Sequence, residues 1–85
     1  MSYRLILESS AERDFRALDV SIARRVRDSL IRLQQTPRPQ GSLKLRDVSP
    51  ARYRMRVGDW RILYTIDESI QEVRVYRIRH CSQAY

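Results

Sequence analysis

Arg54 and Arg56 precede a Gly58-Asp59 pair, and Arg61 follows it. Arginines spaced in this way are suited to holding phosphate. A guanidinium stays protonated, and its planar fork grips phosphate oxygens at two points. If the phosphate is attacked by the adjacent 2′-hydroxyl of RNA, arginines can orient it and stabilise the charge gained in the pentacoordinate transition state, with no metal or cofactor. Arg61 is the candidate for that stabilising role, with Arg54 and Arg56 flanking it. None of the three is a general base, so a proton carrier is also required. His80 and Tyr85 are the candidates by residue type. Histidine titrates near neutrality, and a tyrosine phenol becomes a base when neighbouring cations favour its ionised form.

The residues that position these arginines are legible in Tyr53–Tyr64, Y-R-M-R-V-G-D-W-R-I-L-Y. Gly58-Asp59 forms a two-residue hairpin turn, because glycine tolerates positive φ and aspartate bonds back to the backbone. Closure there pairs Val57 with Trp60, Arg56 with Arg61, Met55 with Ile62 and Arg54 with Leu63, and paired residues share a face. The arginines converge on one side. Tyr53, Met55, Val57, Trp60, Ile62 and Tyr64 occupy the other, where helices can cover them.

Tyr3–Glu8 reads as a first strand, buried on both faces. Ser9 and Glu12 have capping-box spacing, and Ala11, Phe15 and Leu18 fall on one face of a short helix. A second helix begins near Asp19 to Ser21, carries Ile22, Val26, Leu30 and Leu33 as an apolar stripe, and ends at Thr36-Pro37. Arg24, Arg25, Arg27, Asp28 and Arg32 fall off that stripe and read as its solvated surface. After a Pro37, Pro39 and Gly41 connection, Leu43-Lys44-Leu45-Arg46 alternates as a strand, and Glu72–His80 supplies the last one. The expectation is one α+β domain over residues 1–85: a strand, a two-helix hairpin, then antiparallel strands in one twisted sheet with helices on one face.

The chain has 85 residues, with 17 Lys+Arg against 10 Asp+Glu, a formal charge of +7 and a pI near 10.5. That balance suits RNA, DNA or an acidic protein. Every basic residue except Lys44 and His80 is arginine, which favours phosphate over a diffuse anionic surface. A single cysteine, Cys81, excludes an internal disulfide and fits a reducing cytoplasm. His80 and Cys81 are strand neighbours pointing to opposite faces, which argues against a metal site or a nucleophile pair. Gly41 and Gly58 belong to no phosphate loop, so no nucleotide cofactor is implied. No apolar run approaches a membrane span, and the N-terminus lacks the apolar core of a signal peptide.

The strand-helix-helix opening, K-L-R-D at Lys44–Asp47, the Tyr53–Tyr64 block and the ending V-R-V-Y-R-I-R-H-C-S-Q-A-Y from Val73 together resemble the RelE/ParE toxin superfamily of type II toxin-antitoxin pairs. The resemblance implies a compact microbial-ribonuclease-like fold and an acidic antitoxin that wraps and suppresses the toxin in a hetero-oligomer. RelE-like members cleave mRNA in the ribosomal A site, whereas ParE-like members poison DNA gyrase. Residue by residue, it places catalytic positions on Arg54, Arg56, Arg61, His80 and Tyr85 and phosphate contacts on Lys44, Arg46 and Arg79. These matches favour a ribosome-dependent mRNA interferase. Cys81 stands where many relatives carry arginine, which motivates a third reading as a weakened toxin acting as a corepressor.

Overall fold

The computed structural model describes residues 2–39, 42–46 and 51–83. Its elements are β1 (Arg4–Leu7), α1 (Ser9–Arg16), α2 (Val20–Gln35), β2 (Ser42–Arg46), β3 (Ala51–Val57), β4 (Trp60–Asp67) and β5 (Glu72–His80). The five strands form one sheet in the order β1-β5-β4-β3-β2. β5 is antiparallel to β4, as are β4 to β3 and β3 to β2, while β1 lies parallel to β5. The expected α+β architecture is observed, with a mixed sheet because the two helices return the chain from β1. No helix among the described residues is long and apolar enough to cross a membrane.

The β3–β4 hairpin has the register its sequence dictates, from Val57 opposite Trp60 to Tyr53 opposite Tyr64. Gly58 has φ +60° and Asp59 does not share that left-handed conformation, the pattern of a turn with glycine at the first central position. Tyr53, Met55, Val57, Ile62 and Tyr64 are buried on one face, and Trp60 packs against them. Val26, Leu30 and Leu33 of α2 and Ala11 of α1 close this core. Asp19 caps α2 by accepting from the Ile22 amide at 3.0 Å, which fixes where that apolar stripe begins.

Two local expectations are corrected. Ser9 and Glu12 form no capping box: Glu8 occupies the cap position without a side-chain bond. The Ser10 hydroxyl donates instead to the Tyr76 carbonyl at 2.8 Å. β1 is only partly buried, because it is an edge strand paired with β5 alone.

β1 ends opposite Val75, which leaves the second half of β5 without a strand on that side. Helix α1 and its cap residue Glu8 fill the gap with polar groups. The Glu8 amide donates to the Val75 carbonyl at 2.9 Å, Ser10 takes the Tyr76 carbonyl, and Asp14 accepts from the Ile78 amide at 2.9 Å. Asp14 also receives Nε and Nη2 of Arg77 at 2.9 and 3.2 Å. An edge covered in this way is closed to further strand pairing. Asp14→Ala strips acceptors from both the Ile78 amide and Arg77, and should cost roughly 2 kcal/mol in urea unfolding with an unchanged m-value.

The sheet end distant from Gly58 is tied by a second polar group of residues. Arg38 donates to Glu68 at 2.7 Å and to the Tyr53 hydroxyl at 2.9 Å, and Tyr3 donates to Glu68 at 2.6 Å. Tyr64 donates to the Pro37 carbonyl at 2.8 Å, and burial pushes its phenol up to about 12. Donation from Tyr3, then from Arg38, holds the Glu68 carboxyl below its ordinary value. A lowered folded-state value means that this stabilisation is complete above the unfolded carboxyl's titration and is lost as pH falls through the folded value. Thermal unfolding between pH 7 and pH 3 should therefore show a shallower acid decline in Glu68→Gln than in the parent.

Candidate functional site

Cross-strand pairing builds a row of arginines on the face opposite the helices. Arg61 in β4 lies between Arg56 of β3 and Arg79 of β5. Arg54 is one row further along, with Leu63 and Arg77 beside it. Like charges set directly across a sheet repel. Carboxylates or rings engage several neighbours: Arg77 is held by Asp14, Arg74 donates to Glu72 at 3.0 Å, and Arg52 lies 5.6 Å from the centre of the Tyr76 ring. Among the described residues, Arg56, Arg61 and Arg79 have no such acidic partner.

Arg61 is only 8% exposed. Its Nη1 donates to the Gly58 carbonyl at 3.1 Å and the Trp60 carbonyl at 3.0 Å, so the turn orients the guanidinium. Its Nε is buried and unpartnered, as is the Nε of Arg79. A buried N–H without an acceptor carries an uncompensated desolvation cost of about 1–3 kcal/mol. Oxygens of a bound anion would relieve that cost and the repulsion along the row together. The arrangement can therefore bind an oxyanion through fixed donors and stabilise charge that grows on it. It does not suit a cation, and no group of three metal-ligating side chains occurs among the described residues.

The structure divides the other expected site residues. Lys44 pairs with Tyr53 and so belongs to the opposite face from the arginine row, at the exposed edge of β2. The backbone of Arg46 pairs with Arg52. Tyr85 lies outside the described residues. His80 pairs with Trp60, which places it on the helix side of the sheet, its ring T-shaped to the indole at 5.3 Å between centres. The pairing of β5 explains this separation. Leu63 is opposite Arg77 but Tyr64 is opposite Val75, so Tyr76 is an extra residue in the ladder. This bulge reverses the alternation, bringing Arg79 to the arginine face and sending His80 to the other.

By sequence Arg25 is indistinguishable from its neighbours, since its spacing on α2 matches that of any solvated arginine. Its guanidinium lies against Gly58 so closely that a Cβ there would come within 2.9 Å of Nη2. Glycine thus serves both the positive φ and this approach.

The family model described as ParE toxin of type II toxin-antitoxin system, parDE, matches residues 5–85. The RelE of the archaeal RelE-RelB complex from Pyrococcus horikoshii superposes with a TM-score of 0.87 at 22% identity, covering 99% of this chain and 100% of that one. A chain of the RelBE2 toxin-antitoxin complex from Mycobacterium tuberculosis gives 0.81 at 26% identity, with 94% and 99% covered. The isolated E. coli RelE toxin gives 0.82 at 19%, with 98% and 88% covered. No curated protein sequence matches the chain significantly. The five-stranded sheet under two helices is thus the RelE toxin fold. The chain belongs to the RelE/ParE superfamily of type II toxin-antitoxin toxins, through its ParE toxin family match.

Gly58→Ala should both strain the turn and displace Arg25. We expect a stability loss of about 1–2 kcal/mol, together with weaker inorganic phosphate binding in calorimetric titration, because the turn carbonyls that hold Arg61 move.

Proposed function

We propose that this toxin is a ribosome-dependent, metal-independent mRNA interferase. The row of Arg56, Arg61 and Arg79, with buried unpartnered Nε groups on the last two, is the observation that carries the reading. In the proposed reaction the 2′-hydroxyl oxygen bonds to phosphorus as the bond to the 5′-oxygen breaks. The proton leaving the 2′-hydroxyl is taken up by a single carrier, which in turn delivers a proton to the departing 5′-oxygen. Arg61 stabilises the charge gained on the non-bridging oxygens, while Arg56 and Arg79 orient the phosphate and Arg54 holds the adjoining backbone. Arginine supplies here the electrostatic stabilisation that a metal supplies in other nucleases. We assign proton transfer to Tyr85, because His80 stands on the other face of the sheet. Lys44 and Arg46, on the edge strand, serve as outer contacts for the nucleic acid.

The same unneutralised cations suit an acidic antitoxin segment that orders on contact and occludes the row, giving association that weakens with salt. RelE chains in the Pyrococcus horikoshii and E. coli structures are complexed with RelB antitoxins, which supports a partner of that kind.

The family match itself favours one alternative, a ParE-like inhibitor of DNA gyrase. Primer extension on translated mRNA decides between the two. The parent should cut, Arg61→Ala should cut at least about 10²-fold more slowly, and Arg61→Lys should recover little, since a point charge lacks the fork. Intact mRNA with accumulating cleaved gyrase-DNA complexes would overturn the ribonuclease reading.

A further inference from the structure

His80 pairs with Trp60 on the helix side of the sheet, yet its surroundings connect it to the turn that carries Arg61. The Ser82 amide donates to His80 Nδ1 at 3.2 Å, and the Ser82 hydroxyl lies 2.9 Å from the same nitrogen. An amide N–H can only donate, so Nδ1 is an acceptor and the ring hydrogen resides on Nε2. The His80 amide donates to the Gln83 side-chain oxygen at 2.9 Å, and the Gln83 amide returns to the His80 carbonyl at 2.9 Å. These bonds fold residues 80–83 into a tight turn.

That turn is fastened to the β3–β4 hairpin. The Cys81 amide donates to the Asp59 carbonyl at 2.7 Å. The Gly58 and Trp60 carbonyls on either side of Asp59 both accept from Nη1 of Arg61. Three successive carbonyls are therefore engaged, the outer two by the arginine and the middle one by the His80 turn. The T-shaped contact between the imidazole and the Trp60 indole adds a second link between the same two segments. No ion pair to the ring occurs among the described residues, and the Cys81 thiol lies 4.0 Å from Nδ1.

We propose that His80 is a positioning residue for Arg61. It acts across the sheet by clamping the Gly58–Trp60 turn, and its working feature is the acceptor at Nδ1. The inference rests on the ribonuclease reading for its kinetic consequence, whereas the clamp itself concerns only groups of this chain. A displacement near 1 Å at a catalytic group costs up to about 10²-fold in rate, so a loosened turn should lower turnover without weakening mRNA binding.

Three variants test this: His80→Ala removes ring and acceptor, His80→Phe keeps the aromatic edge, and His80→Asn restores an acceptor near Nδ1. In cleavage assays, His80→Ala and His80→Phe should lower kcat roughly tenfold or more at unchanged KM, and His80→Asn should recover most of it. NMR supplies a readout that needs no substrate: exchange of the Arg61 Nε proton and the Ser82 amide proton should be slow in the parent and His80→Asn, and fast in the other two. Equal kinetic loss in His80→Asn and His80→Ala would make His80 a proton carrier and overturn the proposal. Unchanged Arg61 Nε exchange in His80→Ala would overturn it as well, whether or not the parent cuts mRNA. Failure to cut mRNA alongside the predicted exchange pattern would defeat the ribonuclease reading and leave the clamp standing.

Discussion

Closure of the β3–β4 hairpin at Gly58-Asp59 fixes the side of the sheet on which each residue of both strands lies. With Val57 opposite Trp60, Met55 and Ile62 go under the helices while Arg56 and Arg61 go to the other face. A slip of one residue in either strand would exchange those faces, burying guanidinium groups beneath α2 and presenting isoleucine and methionine to water. Each large apolar side chain covered by α2 contributes about 1.5–3 kcal/mol, and an unpaired buried charge costs several. Core packing and arginine placement therefore select the same register. Site geometry is in this sense a by-product of the requirement that Ile62, Met55 and Tyr64 find cover.

The charge balance follows the same geometry. A formal charge of +7 raises the question of which cations the fold itself neutralises. Arg38 meets Glu68 and joins two loops, Arg77 meets Asp14 and ties α1 to the sheet, and Arg74 meets Glu72 within β5. Arg56, Arg61 and Arg79 are left to repel one another along one row, with two buried Nε groups unsatisfied. Among the described residues, the buried side-chain nitrogens and oxygens without a hydrogen-bond partner all lie on this arginine face, which concentrates the structure's frustration there. An anion removes the repulsion and supplies the missing acceptors at once, which makes phosphate or carboxylate the natural complement of the face.

Alternation and turn chemistry made the hairpin, the α2 stripe and the face shared by Arg54, Arg56 and Arg61 legible in the sequence. The errors have identifiable physical sources. Ser9 and Glu12 had suitable spacing, but the Ser10 hydroxyl and Asp14 were drawn instead to the uncovered edge of β5, a tertiary demand with no local signature. The two sides of His80 and Arg79 depend on the bulge at Tyr76. Counting by twos from the buried Val73 and Val75 would place Arg79 in the core and His80 beside Arg61, the reverse of the structure. One unpaired residue inverts the reading of everything after it, and its mark in the sequence is the change of apolar spacing from Val73–Val75 to Val75–Ile78. Arg25 was illegible for a different reason, since only the approach of α2 to Gly58 separates it from neighbouring surface arginines.

The bulge also bears on position 81, where the superfamily resemblance implies an arginine and this chain has Cys81. The Cys81 amide reaches the Asp59 carbonyl, a backbone bond that leaves the side chain outside the fastening of the turn. An arginine there would stand one row beyond Arg61, level with the turn. Arg79, shifted by Tyr76, stands in the same row as Arg61 with its Nε buried and unpartnered. A guanidinium level with Arg61 would face the same bound oxyanion, whereas one beside Asp59 would have a carboxylate within the turn competing for it. The row therefore keeps a cation on each side of Arg61 without one at position 81.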